Sequence, residues 1–482
     1  MIESAPMLLQ QTVTAATEAL KPIRTRLVSL LVAAASLEAV VTFVFAVRHS
    51  DAPPSYFWHH YFVLDATSRL FLLLINFVFL GVAMYVWSRV AAERSLQEGL
   101  ERFVVLALAF IVTANLAVLS NHFLVGWAFL ELTTLAAAPL IRFRGGSRAL
   151  VASWRYFLFS LVGLSLALLG FAFLARSLEG QGAGDAGFFV DRIALLAHAP
   201  PDFWRKAGLA LLFVGYGTKL GLAPMFTWLP ETYDEAPPAV SALLAAVQFN
   251  VALVGVFRVL QICGASDQHR IHAELLVLGL ATMAISALGV MATHSYKKLI
   301  AYASLNHGGV IAIGLALGKS AAYGVVLYVV SNAIIKAVLF LTAGKIRSHY
   351  RSGEVEQVSG LIKEMPYTGL FFAIGTFALL GLPPSGSFLG ELLILSGLIR
   401  EGYLGVFAMF GGILTITFVA TGRRIFPMIW GPPPSHSAPE HPPFLSMVPK
   451  LLLVGFLLAM GLYLPPPINT LFRQVAGSLG GE

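Results

Sequence analysis

The sequence predicts an all-α membrane protein, a polytopic helical bundle, and three observations carry that prediction. Of the 482 residues, 57% are hydrophobic and only 12% are charged, whereas a soluble chain is about a quarter charged. Mean hydropathy is +0.78. The apolar residues also gather into thirteen runs near the length at which a helix crosses a bilayer. The runs lack the ten-residue alternation of a barrel strand, and only helices or closed barrels satisfy their backbone inside lipid. A soluble enzyme is excluded. One cysteine, Cys263, excludes a disulfide scaffold and an iron–sulfur or Cys-rich zinc site.

In chain order the expected spans are 27–47, 66–90, 102–119, 121–142, 151–175, 205–223, 239–263, 273–293, 298–317, 321–346, 366–400, 403–429 and 446–465. Residues 1–26 read as a polar, mildly amphipathic cytoplasmic segment, and 467–482 as a C-terminal tail. Met7-Leu8-Leu9 is too short for a signal-peptide core. The longest connectors are 176–204 (with Gly180-Gln181-Gly182-Ala183-Gly184), 345–365 and the Pro-rich 430–445. Threading from a cytoplasmic N-terminus places 19 Lys and Arg on the cytoplasmic side, Lys297 and Lys298 among them, and about 11 outside. That bias follows the positive-inside rule and predicts a multi-pass protein of the cell inner membrane. The net charge of +7 reads as loop bias against anionic lipid rather than nucleic-acid binding.

Ionisable groups inside spans are costly and rarely face lipid. Six stand out: Glu38, Glu131, Lys219, His307, Lys336 and Glu391. A structural ion pair or a snorkelling lysine would explain any one of them; six of both signs point to an ion or proton path. Lys219 stands in a stretch with Gly217, Gly221 and Pro224, residues that interrupt a helix. Glu391 follows a second such stretch, Gly381-Leu382-Pro383-Pro384. Two spans, five apart in order, are therefore broken beside a charge, the pattern of inverted repeats with a site at each break. The repeats would cover about 102–263 and 273–429. Carbonyls freed at such breaks can hold water or ions where they line a cavity. Desolvation disfavours the charged form of any group, so amines and carboxyls in such places are candidate proton carriers.

Asn332 and Lys336 share a helix face, as do Ser304 and His307. Glu38 is the weakest candidate, a residue for pairing with a neighbouring helix or subunit. Asp65, with His59-His60, is expected at a solvated interface, and two histidines are too few for a metal site. No Walker A motif, dinucleotide-type turn or His-Glu-x-x-His is present. No catalytic site, metal or cofactor is expected.

Several stretches resemble one known family. Ser120-Asn121-His122 through Glu131 resembles the glutamate-bearing segment of the antiporter-like subunits. Lys219-Leu220-Gly221-Leu222-Ala223-Pro224 through Pro230, with Glu235-Ala236-Pro237-Pro238, resembles that family's most recognisable stretch. Lys297-Lys298-Leu299 through Gly309, and Gly381-Leu382-Pro383-Pro384, complete the likeness. The family is the proton-translocating subunits shared by respiratory complex I, Mrp cation/proton antiporters and group 4 hydrogenases. The resemblance covers about 65–465. Ser153-Trp154-Arg155-Tyr156 and Gly215-Tyr216-Gly217-Thr218-Lys219 lean toward component F of hydrogenase-4.

The resemblance implies that Glu131 and Lys219 form a switching ion pair. It implies that His307 belongs to a wet central axis, that Lys336 is a central relay, and that Glu391 is the last carrier before exit. It implies a non-catalytic, proton-pumping subunit that assembles with other membrane subunits of a redox or hydrogenase complex. Asn250 and Asn332 depart from the family, which often has a lysine and a histidine there. An amide holds water but carries no charge, which leaves open a structural anchor with a vestigial path; a cation/proton antiporter subunit is the other alternative. The family usually has fourteen helices and an outside N-terminus, so one N-terminal helix is expected to be missing here.

Overall fold

A computed structural model describes residues 5–90, 99–179, 188–195, 202–433 and 443–479. The Gly-rich run 180–184, most of the Pro-rich connector and Arg94 lie outside the described residues. The chain runs through α1 (Ala5–Arg48), a hairpin of β1 (Ser55–Phe57) and β2 (Phe62–Leu64), α2 (Ala66–Val90), α3 (Leu100–Leu119), α4 (Phe123–Ile141) and α5 (Ser147–Glu179). It continues through α6 (Val190–Leu195), α7 (Phe203–Leu220), α8 (Trp228–Glu235), α9 (Pro238–Ala242) and α10 (Phe249–Gln261), the last two joined by a π-helical turn, Leu243–Gln248. Next come α11 (Ala265–Ala292), α12 (Tyr296–Ala316), α13 (Ala322–Tyr350), α14 (Leu361–Glu364) and α15 (Pro366–Leu379). The last are α16 (Gly386–Arg400), α17 (Leu404–Trp430), α18 (Phe444–Leu462) and α19 (Pro466–Ser478).

Among the described residues, 11 helical segments are long and apolar enough to cross a membrane, against thirteen expected spans. The two that fall short as single helices are 205–223 and 366–400, the two expected to be broken. α7 ends at the first break after 18 residues and carries Arg205, Lys206 and Lys219, whereas the second break divides 366–400 into α15 and α16 of 14 and 15 residues.

The bundle has a buried centre and an apolar, exposed rim. Pro238–Gln261, α12 and α13 are buried along nearly all of their length, as helices apolar all round must be. α13 is the central post, packed against α2, α9, α12, α15, α16, α18 and α19. Small residues let backbones meet there: a Cβ on Gly390 would lie 2.7 Å from the Gly324 carbonyl oxygen, so α13 and α16 touch main chain to main chain. At the rim, α1 and α17 expose rows of large apolar side chains such as Leu37, Phe43, Met409 and Val419.

At the edges two segments are helical, and one expectation needs correcting. Residues 5–26, expected as a cytoplasmic N-terminal segment, are helical and form the first part of α1. The tail 467–482 is largely the helix α19, whose Ile468, Leu471, Phe472 and Val475 are buried against α13, α2 and α1. Asp65 is not solvated: Arg258 donates to both of its carboxylate oxygens, at 2.5 and 3.0 Å. Burial alone would raise the Asp65 carboxyl, but the Arg258 charge and the hydrogen bonds from Arg258 and Ser68 hold it below the usual carboxylate range. A second buried pair, Arg205–Asp267 at 2.7 Å, joins α7 to α11.

Candidate functional site: two broken helices and the polar row between them

Both breaks begin with the same helix stop. At the first, Gly221 takes φ +74, which a side chain would resist. Its N–H donates to Thr218 O at 3.2 Å, and Leu222 N–H to Gly217 O at 2.8 Å. At the second, Gly381 takes φ +65; its N–H donates to Ala378 O at 3.1 Å, and Leu382 N–H to Phe377 O at 2.9 Å. Each is a Schellman motif, which satisfies the carbonyls that a helix end leaves free. Pro224 and Pro384, each after a cis peptide bond, then prevent the helix from resuming directly.

The next half-helix supplies further hydrogen bonds at both places. Trp228 Nε1–H donates to Thr218 O at 2.9 Å, and Ser387 Oγ–H to Ala378 O at 2.8 Å. The carbonyl oxygens of Gly217, Thr218, Phe377 and Ala378 at these breaks all have protein donors.

Lys219 is 1% exposed. Its ammonium donates to Thr134 Oγ1 at 2.5 Å and lies 5.0 Å from the Tyr156 ring centroid. Glu131 stands one turn before Thr134 on α4, half-buried, with its Oε2 lacking a hydrogen-bond partner. The ion pair that the resemblance implied is thus not closed. Thr134 holds the lysine, and Glu131 sits nearby with acceptor capacity to spare.

A short network that sequence reading missed runs on from there. Tyr156 donates to Gln248 Oε1 at 2.6 Å, and Gln248 Nε2 donates to Thr133 Oγ1 at 3.2 Å. Gln248 closes the π-helical turn, a feature common at functional sites. A glutamine in an apolar run was the available signal. Asn250 is next but one in the chain; its Nδ2 donates to Ala246 O at 2.6 Å, and its Oδ1 is buried without a partner.

Lys336 is also 1% exposed, with its ammonium 3.8 Å from the Phe249 ring centroid. Asn332, one turn earlier on α13, is buried with both amide atoms unpartnered. His307 hydrogen-bonds through Nδ1 with the Tyr328 hydroxyl. These two line a cavity of about 220 Å³ together with Asn306, Glu391, Thr417 and Thr421, room for several waters. Glu391 reaches back to the second break, where a Cβ on Gly381 would stand 2.8 Å from its Oε2. Ser304 turns its hydroxyl onto Ile300 O at 2.8 Å, away from this row. Glu38 lies in α1, outside it.

Lys297, expected in a cytoplasmic loop, is instead 1% exposed. It donates to the carbonyls of Asp234 and Ala236 at 2.7 and 2.8 Å. Those oxygens end α8, so the cation sits at a helix C-terminus, where positive charge is favoured.

A multi-pass bundle with opposite charges buried beside two matched helix breaks defines an antiporter-like membrane protein. The family described as "NADH:quinone oxidoreductase/Mrp antiporter, TM" matches residues 120–417, and the chain belongs to it. Among its relatives is a hydrogenase-4 component F homolog of Methylacidiphilum infernorum, 29% identical over 446 residues, 89% of this chain and 90% of that one. Subunit N of the F(420)H(2) dehydrogenase of Methanosarcina mazei is 28% identical over 426 residues, 86% and 84% of the two chains. In fold, a chain of the membrane-bound sulfane sulfur reductase, an archaeal respiratory membrane complex, is similar with a TM-score of 0.82. That likeness covers 97% of this chain and 98% of that one at 23% identity.

Proposed function

We propose that the chain is the proton-translocating subunit of a multisubunit membrane redox complex, of hydrogenase-4-like or NADH:quinone oxidoreductase-like type. The observation that carries this reading is the burial of Lys219, held by the neutral Thr134 hydroxyl, with the Glu131 carboxylate one turn before Thr134 on α4. Moving that ammonium from Thr134 toward Glu131 exchanges a bond to a neutral hydroxyl for one to a carboxylate, and hydrogen bonds of charged groups contribute about 1.5–3 kcal/mol each. One charge carried through 100 mV needs about 2.3 kcal/mol. The two magnitudes are of the same order, so exchange between the two acceptors is a step on the scale of the work that proton transfer requires.

In this reading the proton passes from Lys219 along the polar row to Lys336 and His307, and leaves by Glu391. The repeats about 102–263 and 273–429 would be related by inversion, each contributing one break; the matched Schellman turns support that. The positive-inside count supports a cytoplasmic N-terminus in the inner membrane. A second reading, a structural anchor, draws on Asn250 and Asn332, which cannot carry charge. A cation antiporter draws less support, because among the described residues no group of three or more His, Cys, Asp or Glu that could hold a metal ion is found.

The test is proton pumping by the reconstituted complex carrying Lys219→Ala or Glu131→Gln. Pumping should fall at least tenfold per electron pair in the first and severalfold in the second. Undiminished pumping in both, with the complex assembled, would sink the reading in favour of the anchor.

A further inference from the structure

We infer that Phe249 is the seal of the buried row. Its ring closes the row between the Lys219 half and the Lys336 half, and it holds the Lys336 ammonium while closed. The inference rests on the reading of this row as a proton path.

The row is polar on both sides of one apolar residue. On one side stand Lys219, Thr134, Thr133, Tyr156 and Gln248, joined by hydrogen bonds. On the other stand Lys336, Asn332, His307 and the cavity that reaches Glu391. Between them is Phe249, 2% exposed. A Cβ on Gly308, the neighbour of His307, would lie 3.7 Å from Phe249 Cε2, 3.7 Å from Leu222 Cδ2 and 3.6 Å from Leu220 O. The ring therefore fills the crossing of the first break, α12 and α13.

The backbone aims it there. Phe249 N–H donates to Leu244 O, five residues back. One extra residue in a turn rotates the rest of the helix by about 100° relative to an unbroken α-helix. Gln248 and Phe249, about 100° apart as neighbours on a helix, address different partners, one the Thr133–Tyr156 pair and the other Lys336.

The chemistry is two-sided. An aromatic ring offers no hydrogen bond along the row, so it interrupts any file of water. Its face attracts a cation, most strongly where water is excluded. Among the described residues no carboxylate forms a salt bridge with Lys336, so the ring is its electrostatic partner. Asn332, one turn before Lys336 on α13, has an unpartnered amide, and Asn250, next to Phe249 in the chain, has an unpartnered Oδ1. Buried polar atoms call for partners; water admitted when the ring swings aside would supply them, and Lys336 would then be released to exchange its proton.

The intact complex in proteoliposomes tests this with Phe249→Ala, Phe249→Leu and Phe249→Tyr, beside Lys219→Ala. Two quantities are read: passive proton conductance without electron donor, and protons moved per electron pair. Phe249→Ala should raise passive conductance at least tenfold. Phe249→Leu fills the space without a π face; it should stay tight yet pump severalfold less. Phe249→Tyr should restore both. A Phe249→Ala complex as tight as the parent overturns the seal. Should Phe249→Ala not assemble, equal pumping by the Leu and Tyr variants overturns the holding role. If Lys219→Ala pumps normally, the path itself has failed; if Lys219→Ala is dead while Phe249→Ala stays tight, only the seal has.

Discussion

The break at Gly221 and the break at Gly381 share one backbone and differ in what surrounds it. Each stops a helix with the same pair of hydrogen bonds, and each has a carbonyl covered by a side chain of the next half-helix. Yet the first is packed around an ammonium, while the second opens on a cavity beside a carboxylate. The turn is set locally, by a glycine that accepts positive φ and a proline three residues on. The chemistry is set by the helices packed against the turn: α4 and α5 at the first, α12, α13 and α17 at the second. A fold can thus reuse one stop signal to mount two different charges.

The largest effect should come from the wet side. Glu391→Gln keeps the shape of the cavity and removes the titratable group; pumping should fall at least tenfold with electron transfer retained, read as protons moved per electron pair. An unchanged ratio would show that the cavity, and not its carboxylate, matters.

The Arg258–Asp65 pair shows by contrast what a purely structural charge does. Breaking a buried ion pair costs about 3–5 kcal/mol. Asp65→Asn should therefore lower the unfolding temperature of the purified protein and leave pumping stoichiometry unchanged. The pH dependence has a definite sign. Because the folded carboxyl is held below its usual range, its stabilisation is present at neutral pH and disappears as pH falls through and below that range. The parent should lose its advantage over Asp65→Asn on acidification, and a constant gap down to acid pH would contradict this.

The two glycines sharpen the comparison next. Forcing a side chain into the left-handed region costs roughly 1–2 kcal/mol, so Gly221→Ala and Gly381→Ala should both lower thermal stability by that order. Their consequences then part. At Gly221 the added carbon meets the tips of Leu229 and Leu305, which can shift; at Gly381 it meets the carboxylate of Glu391. Only Gly381→Ala should also depress pumping. The smallest effect is expected for Thr134→Val, about fivefold in pumping, equivalent to about 1 kcal/mol and in line with one lost hydrogen bond. Thr134→Ser should restore it.

The bundle was legible in the sequence because lipid leaves few options: long apolar runs must be helices, and the two runs with Gly and Pro beside a charge are the two that break. Lys219, Lys336 and Glu391 were legible for the same reason, as charges where charges are costly. What escaped depended on packing. Lys297 stands at the edge of an apolar run and looks like a loop charge, until two carbonyls at the end of α8 fold over it. Asp65 looks solvated until Arg258, nearly two hundred residues away, reaches it. Gln248 and Phe249 looked like ordinary members of a span, because a π-helical turn has no sequence signature as clear as a Gly-Pro break. Ser304 shares a face with His307 in sequence, but its hydroxyl bonds its own helix.

The measurement that bears most directly on the central claim is pumping by the double variant Lys219→Ala/Glu391→Gln beside its two single variants, with assembly and electron transfer checked in each. If the two breaks serve one path in series, the double variant pumps no less than the worse single variant. If each single variant keeps substantial pumping and their losses multiply in the double, the breaks act independently and the account of a single coupled row is wrong.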